Sequence, residues 1–174
     1  MKWFIGFLVL TALSLGGVMA ATPKVTLPEV DRQMLTDVAL DLRAAILNGN
    51  VRKILDHISR SGLTCTDAQY SFKQVRKDLR NRKSHLFLSL FDSKAFSTQC
   101  GIGYTSEFPA ISEKEFFTAD KNPEIEIVAH SLDTARVIFK SHVKGHYQRE
   151  WWFSKAGNKW KLGEGVIVGD CTCG

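Results

Sequence analysis

Four cysteines carry the most evident chemistry of this chain: Cys65, Cys100, Cys171 and Cys173. The last two stand one residue apart in GDCTCG at the C-terminus. That spacing suits a soft copper or zinc grip, a strained reducible bond, or the ends of two structural staples. A direct Cys171–Cys173 bridge would close a very small, strained ring. Joining each tail cysteine to Cys65 or Cys100 instead closes loops of roughly 70 to 110 residues, worth about 4 kcal/mol each in the chain-entropy account. The residues leave open whether the pairs are 65–171 with 100–173 or 65–173 with 100–171.

The compartment decides between staples and thiol chemistry. MKWFIGFLVLTALSLGGVMA opens the chain with a basic residue, Lys2, then an apolar run and small residues at Val18-Met19-Ala20. This is the pattern of a secretory signal peptide over residues 1–20, cleaved near Ala20. The reading therefore places the protein in the periplasm or outside the cell, with no membrane span in the mature chain. An even cysteine count in an oxidising compartment favours two disulfides.

Other reactive groups are scattered. His57, His85 and His130 show no ligand spacing, and His142 and His146, four residues apart, flank an expected strand turn rather than sharing the helix that a zinc HxxxH pair needs. A two-residue link at Lys144-Gly145 would put His142 opposite Tyr147 and His146 opposite Val143, so the two histidines would face opposite sides of the sheet. No Gly-rich phosphate loop and no Gly-x-Ser-x-Gly elbow is present. No metal and no cofactor is expected.

Two clusters remain as binding candidates. Residues 73–83 carry six positive charges against one negative; Lys73, Arg76, Lys77 and Arg80 are the candidate face for an anionic partner such as phospholipid, glycan or an acidic protein. Trp151, Trp152, Phe153 and Trp160 are the candidate cavity or surface aromatics; on a strand Trp151 and Phe153 share one face and Trp152 takes the other. The net charge of +5, about +4 without Lys2, is far from the density of a dedicated nucleic-acid binder.

The elements that must position these groups are legible in the pattern. After a linker at 21–27, one domain is expected over 28–174. Val30, Met34, Val38, Leu42 and Ala45 or Ile46 form a helical stripe, with Asp31, Asp37, Asp41 and Arg43 opposite, and Asn48-Gly49-Asn50 ends it. Val51, Ile54, Leu55 and Ile58 predict a short second helix. A short extended piece follows over 63–70. Ser71 and Ser84 cap two further helical segments, 92–110 reads as an irregular connection, and Ser112 with Glu115 forms a capping box for a helix near 113–120. Beyond Pro123 the spacing switches to alternation: 124–128, 134–143, 146–155 and a last strand after Ala156-Gly157-Asn158 predict an antiparallel meander. The class is α+β, with N-terminal helices packed on a curved sheet of about four strands.

The stretches LDLRAAILNGNVRKILDHIS and REWWFSKAGNKWKL, in this order, resemble the opening helices and closing hairpin of the nuclear-transport-factor-2-like superfamily, the cystatin-like α+β cone. The chain is most similar to small exported members with a Cys after the second helix, a basic helix and a C-terminal Cys. The resemblance implies a cone whose mouth could take a small apolar ligand, a non-catalytic role as a ligand- or protein-binding module of the cell envelope, and a dimer as one compatible assembly. Its enzymes are isomerases and dehydratases that use a carboxylate, Tyr or His inside the cone. Here Glu126, His130, His142, Tyr147 and Glu150 lie on expected strands, but none matches a family acid or base. An envelope metal or thiol handler built on the Cys tail is the further alternative.

Thiol counting and non-reducing peptide mapping test the tail. The expected result is no free thiol and two long-range bridges; a 171–173 bridge or reactive thiols would move the tail from architecture to chemistry.

Overall fold

The structure, a computed structural model, describes residues 25–65, 68–99, 111–146 and 148–163, with the side chains of Cys65 and Ala68 left aside. Cys65 lies on a strand by its backbone; Cys100, Cys171 and Cys173 fall outside the described residues, as does Tyr147. The bridges expected from the tail therefore rest on sequence alone.

The fold is α+β. Six helices are described: α1 (Glu29–Leu47), α2 (Val51–His57), α3 (Phe72–Asp78), α4 (His85–Phe91), α5 (Ser93–Gln99) and α6 (Glu113–Ala119). A small hairpin of β1 (Leu63–Cys65) and β2 (Ala68–Tyr70) separates α2 from α3. The main sheet is a meander of β3 (Glu124–Ala129), β4 (Thr134–Lys140), β5 (Arg149–Ala156) and β6 (Lys159–Leu162), antiparallel throughout. Among the described residues no helix is long and apolar enough to cross a membrane.

Register explains how one face of the sheet became the core. Ala135 pairs with Phe153, Val137 with Trp151 and Phe153 with Leu162, and all five are buried. Ile125 and Ile127 of β3 continue this inner face toward the sheet edge. Helices α1 and α6 cover it. Leu35, Ala39, Leu42, Ala45 and Ile46 come down from α1, and Phe116 and Phe117 from α6. Phe117 sits edge-on to both Phe139 and Trp151, with ring centroids 5.0 and 5.4 Å away.

Several expectations need correction. The α1 stripe is rotated from the expected one: Val30 is 65% exposed, while Asp31 is buried and forms a 2.7 Å ion pair with Lys155 of β5. The first turn is governed by that pair rather than by the apolar period. Leu27, assigned to the linker, is buried in the core, so the domain begins before Pro28. Residues 93–99, expected to be irregular, form α5: Asp92 accepts from the Ala95 amide, and Phe96 is buried beside Leu88. Ser112 does cap α6 through the Glu115 amide, but its own amide donates to Ser93 Oγ at 2.8 Å, not to the exposed Glu115 side chain. The box is thus closed by a neighbouring segment. The β4–β5 connection is also longer than two residues. Regular pairing stops at Phe139 opposite Arg149, because Asp120 at the end of α6 captures the His142 amide at 2.6 Å and the Ser141 hydroxyl.

One glycine is required by space. Gly62 has φ of 100°, and a Cβ there would lie 1.8 Å from the Tyr70 carbonyl oxygen. Only glycine lets the chain leave α2 and enter the β1–β2 hairpin so tightly.

Phe117→Ala should cost about 3–5 kcal/mol in urea unfolding, as for a fully buried aromatic. Trp152→Ala, on the outer face, should cost distinctly less. Similar losses for both would contradict this assignment of the core.

Candidate functional site

The inner face of the sheet, where the resemblance puts a guest, is filled by its own side chains. Trp151 and Phe153 are fully buried, and Trp160 of β6 is 2% exposed. Trp152 lies on the outer face, where the His130 ring stacks on it at 4.5 Å and the Arg136 guanidinium lies 5.5 Å from its ring centroid. The four aromatics are therefore divided between core and outer surface, and do not come together as an open stacking platform.

The carboxylates and histidines singled out earlier are engaged in local pairs. Glu150 accepts from Arg136 at 2.7 Å, and Glu126 pairs with Lys140 at 2.7 Å, both across the outer sheet face. His142 approaches buried Asp120 through Nδ1 at 3.2 Å. The backbone amide of His142, foremost, holds the Asp120 carboxyl below the usual carboxylate range, helped by the Asn122 amide and the Ser141 hydroxyl. His146 stacks at 6.1 Å on Phe116. Among the described residues no group of three His, Cys, Asp or Glu is placed to hold a metal ion.

One fully buried acid was missed by the sequence reading. Glu113, in the first turn of α6, has Oε1 2.9 Å from Arg149 Nε and accepts at Oε2 from the Trp151 indole N–H at 3.3 Å. Arg149 also donates to the Ile111 carbonyl and lies over the Phe116 ring. Burial pushes the Glu113 carboxyl up from its ordinary value, and the Arg149 charge works against that push. Oε1 is met by the Arg149 charge and Oε2 by the indole N–H, so the pair closes one end of the core. The available signal was its place at the first turn of a capped helix, which by itself indicates a dipole-facing acid on the surface.

An open concave surface lies elsewhere, around α2. Asn50 caps this helix through the Lys53 amide, and buried Ile54 and Ile58 seat it, with Ile58 bridging to Leu162 of β6. Ser71 caps α3 in turn, and buried Val75 and Leu79 seat that helix. Seating these faces turns Arg52 and Asp56 of α2 toward Arg76 on α3 and Arg80 just beyond it. A groove of about 590 Å³ results, with Val51, Leu55 and Phe72 as its apolar floor. Arg52, Arg76 and Arg80 are exposed, and none has an ion-pair partner among the described residues.

Of the basic face expected at 73–83, the structure thus brings Arg76 and Arg80 to the groove. Lys73 and Lys77 are exposed outside its lining. Arg80 follows the end of α3 in a turn, since the helix stops at Asp78. Arg52 was missed, because its helix carries no basic run of its own.

A second groove of about 480 Å³ lies between α1, α2 and β6, with Met34, Val38, Asp41, His57 and Trp160 in its walls. Asp41 accepts from Lys53 and contacts His57 Nε2 at 2.9 Å. The Lys53 hydrogen bond, with His57 adding to it, lowers the Asp41 carboxyl against the opposing effect of burial. This arrangement clasps α1 to α2; it aligns a His with a carboxylate, and among the described residues of the groove's lining there is no Ser, Thr or Cys.

Compared with protein-family models and with curated proteins, the chain matches none.

Arg149→Met should expose the role of the buried pair. Glu113 already folds more readily protonated, so its contribution is full below its unfolded pKa and declines as pH rises through the raised folded value. Without Arg149 that folded value rises further. The variant should therefore lose about 3–5 kcal/mol near pH 8 and clearly less near pH 5. A loss independent of pH would show that Glu113 is not the group responsible.

Proposed function

We propose that the protein is a non-catalytic binding module of the cell envelope, belonging to the superfamily it resembles, and that its site is the groove between α2 and α3. The ligand is an anionic group attached to an apolar body. The observation that carries this reading is the convergence of Arg52, Arg76 and Arg80, without ion-pair partners among the described residues, on a floor of Val51, Leu55 and Phe72.

The magnitudes favour a cluster over any one residue. An exposed ion pair contributes only about 0.2–1 kcal/mol, so a single arginine would hold an anion weakly. Three guanidiniums around one concavity can share a carboxylate or phosphate in forked hydrogen bonds, while the floor excludes water from one side of the ligand. Asp56 in the same lining leaves the groove a surplus of two positive charges. The filled inner face of the sheet supports binding over chemistry, since an isomerase- or dehydratase-type reaction would need a cavity beside its carboxylate.

Octyl phosphate is a suitable probe in calorimetric titration. The parent protein should bind it with an affinity that falls as salt rises, and the double variant Arg76→Glu with Arg80→Glu should bind at least about tenfold more weakly. Equal binding by the two proteins, both folded by circular dichroism, would remove the groove as the site.

A further inference from the structure

The groove beside α3 shares a ridge with another. On the other side of Leu55, Asp56 and Phe72, a groove of about 540 Å³ runs between α2 and the β5–β6 hairpin. Exposed Ala156 contributes apolar surface there above buried Ile58, and Arg60, Lys159 and Lys161 supply positive charge. Arg60 and Lys159 are exposed, with no ion-pair partner among the described residues. Lys161 Nζ donates to the Asp56 carbonyl, which holds the ammonium at the groove with two of its hydrogens still to place.

We propose that the two grooves form one bipartite site whose occupant is an extended acidic peptide segment of a partner protein, with an apolar side chain seated on the Leu55–Phe72 ridge and carboxylates on both sides of it. This rests on the reading of the first groove as an anion site, and adds the second cationic lobe and the identity of the ligand. The pattern of the surface is cation, a ridge of Leu55 and Phe72 that also carries the single acid Asp56, cation. A single-headed amphiphile would use one lobe and leave the other unpaired. A bilayer cannot follow two concavities separated by a ridge, and would instead meet the exposed Lys73 and Lys77, which lie outside both linings. An extended chain suits it, because successive side chains can alternate between charge and apolar contact along its length. Long polyanions without apolar groups would leave Leu55 and Phe72 uncovered.

The test uses the protein as its cell processes it, and a library of fluorescein-labelled nonapeptides with two Asp or Glu at each end and Leu, Val or Phe in the middle. Fluorescence polarisation should find binders whose affinity drops at least tenfold when either end is changed to Asn or Gln. Arg60→Glu with Lys159→Glu should weaken those peptides at least tenfold while leaving octyl phosphate binding within twofold of the parent. Arg76→Glu with Arg80→Glu should weaken both probes.

If Arg60→Glu with Lys159→Glu binds the peptides like the parent, the bipartite site is overturned and the single-groove reading stands. Absence of any binding peptide overturns it as well, as does flotation with phosphatidylglycerol vesicles in place of peptide binding. Octyl phosphate binding that is insensitive to Arg76→Glu with Arg80→Glu would instead sink the first reading.

Discussion

Phe117 lies edge-on to Trp151 and Phe139, and that contact decides where everything else can go. An antiparallel sheet buried on one face needs a cover for its inner residues, and α6 with α1 supplies it. Once Phe116 and Phe117 are seated, the end of α6 is placed beside the β4–β5 connection, and Asp120 takes up its amide and hydroxyl groups. The inner rows of β5 then end in charges. Arg149 meets Glu113 of α6, and Lys155 meets Asp31 of α1. A slip of one residue would turn both cations to the outer face and leave two acids in the core without their partners, so these pairs oppose such a slip.

The same packing places the concave surface away from the sheet interior. Helix α2 is short, and its buried residues are spent on β6: Ile58 bridges to Leu162, and the Ser59 amide donates to the Leu162 carbonyl at 2.7 Å. With Ile54 and Ile58 committed inward, Arg52, Leu55 and Asp56 must look outward toward α3. Gly62 then brings the chain back close enough for Phe72 to lie beside Leu55 at the groove. The groove is thus the space left between two small helices seated on other elements, α2 on α1 and β6 and α3 on β2 and α4.

The periodic signals were read well where burial is uniform along an element. The four strands, the caps at Ser71, Ser84 and Ser112, and the stop at Asn48-Gly49 follow from alternation and from turn chemistry, both local properties. The signals misled where a charged residue is buried with a distant partner. Asp31 looked like the solvent side of α1 because it falls opposite the apolar stripe; its partner Lys155 lies far along the chain. Glu113 drew no notice, and its partner Arg149 is likewise distant in the chain. In the candidate site, Arg76 and Arg80 stood out as part of a basic run, whereas Arg52, on a helix with ordinary charge balance, drew no notice.

The sequence by itself determined the class of the domain, the order of most of its elements and which residues of a strand share a face. Hydrophobic period, capping residues and turn glycines act over a few neighbours and need no tertiary information. Tertiary structure alone decided which charges were buried in pairs and which were left facing a concavity. Those outcomes depend on contacts between residues distant in the chain: Arg149 with Glu113, Lys155 with Asp31, and Arg52 facing Arg76 across a floor assembled from two helices. A local pattern can say that a residue is charged, but only packing fixes whether water, a partner or a groove receives it.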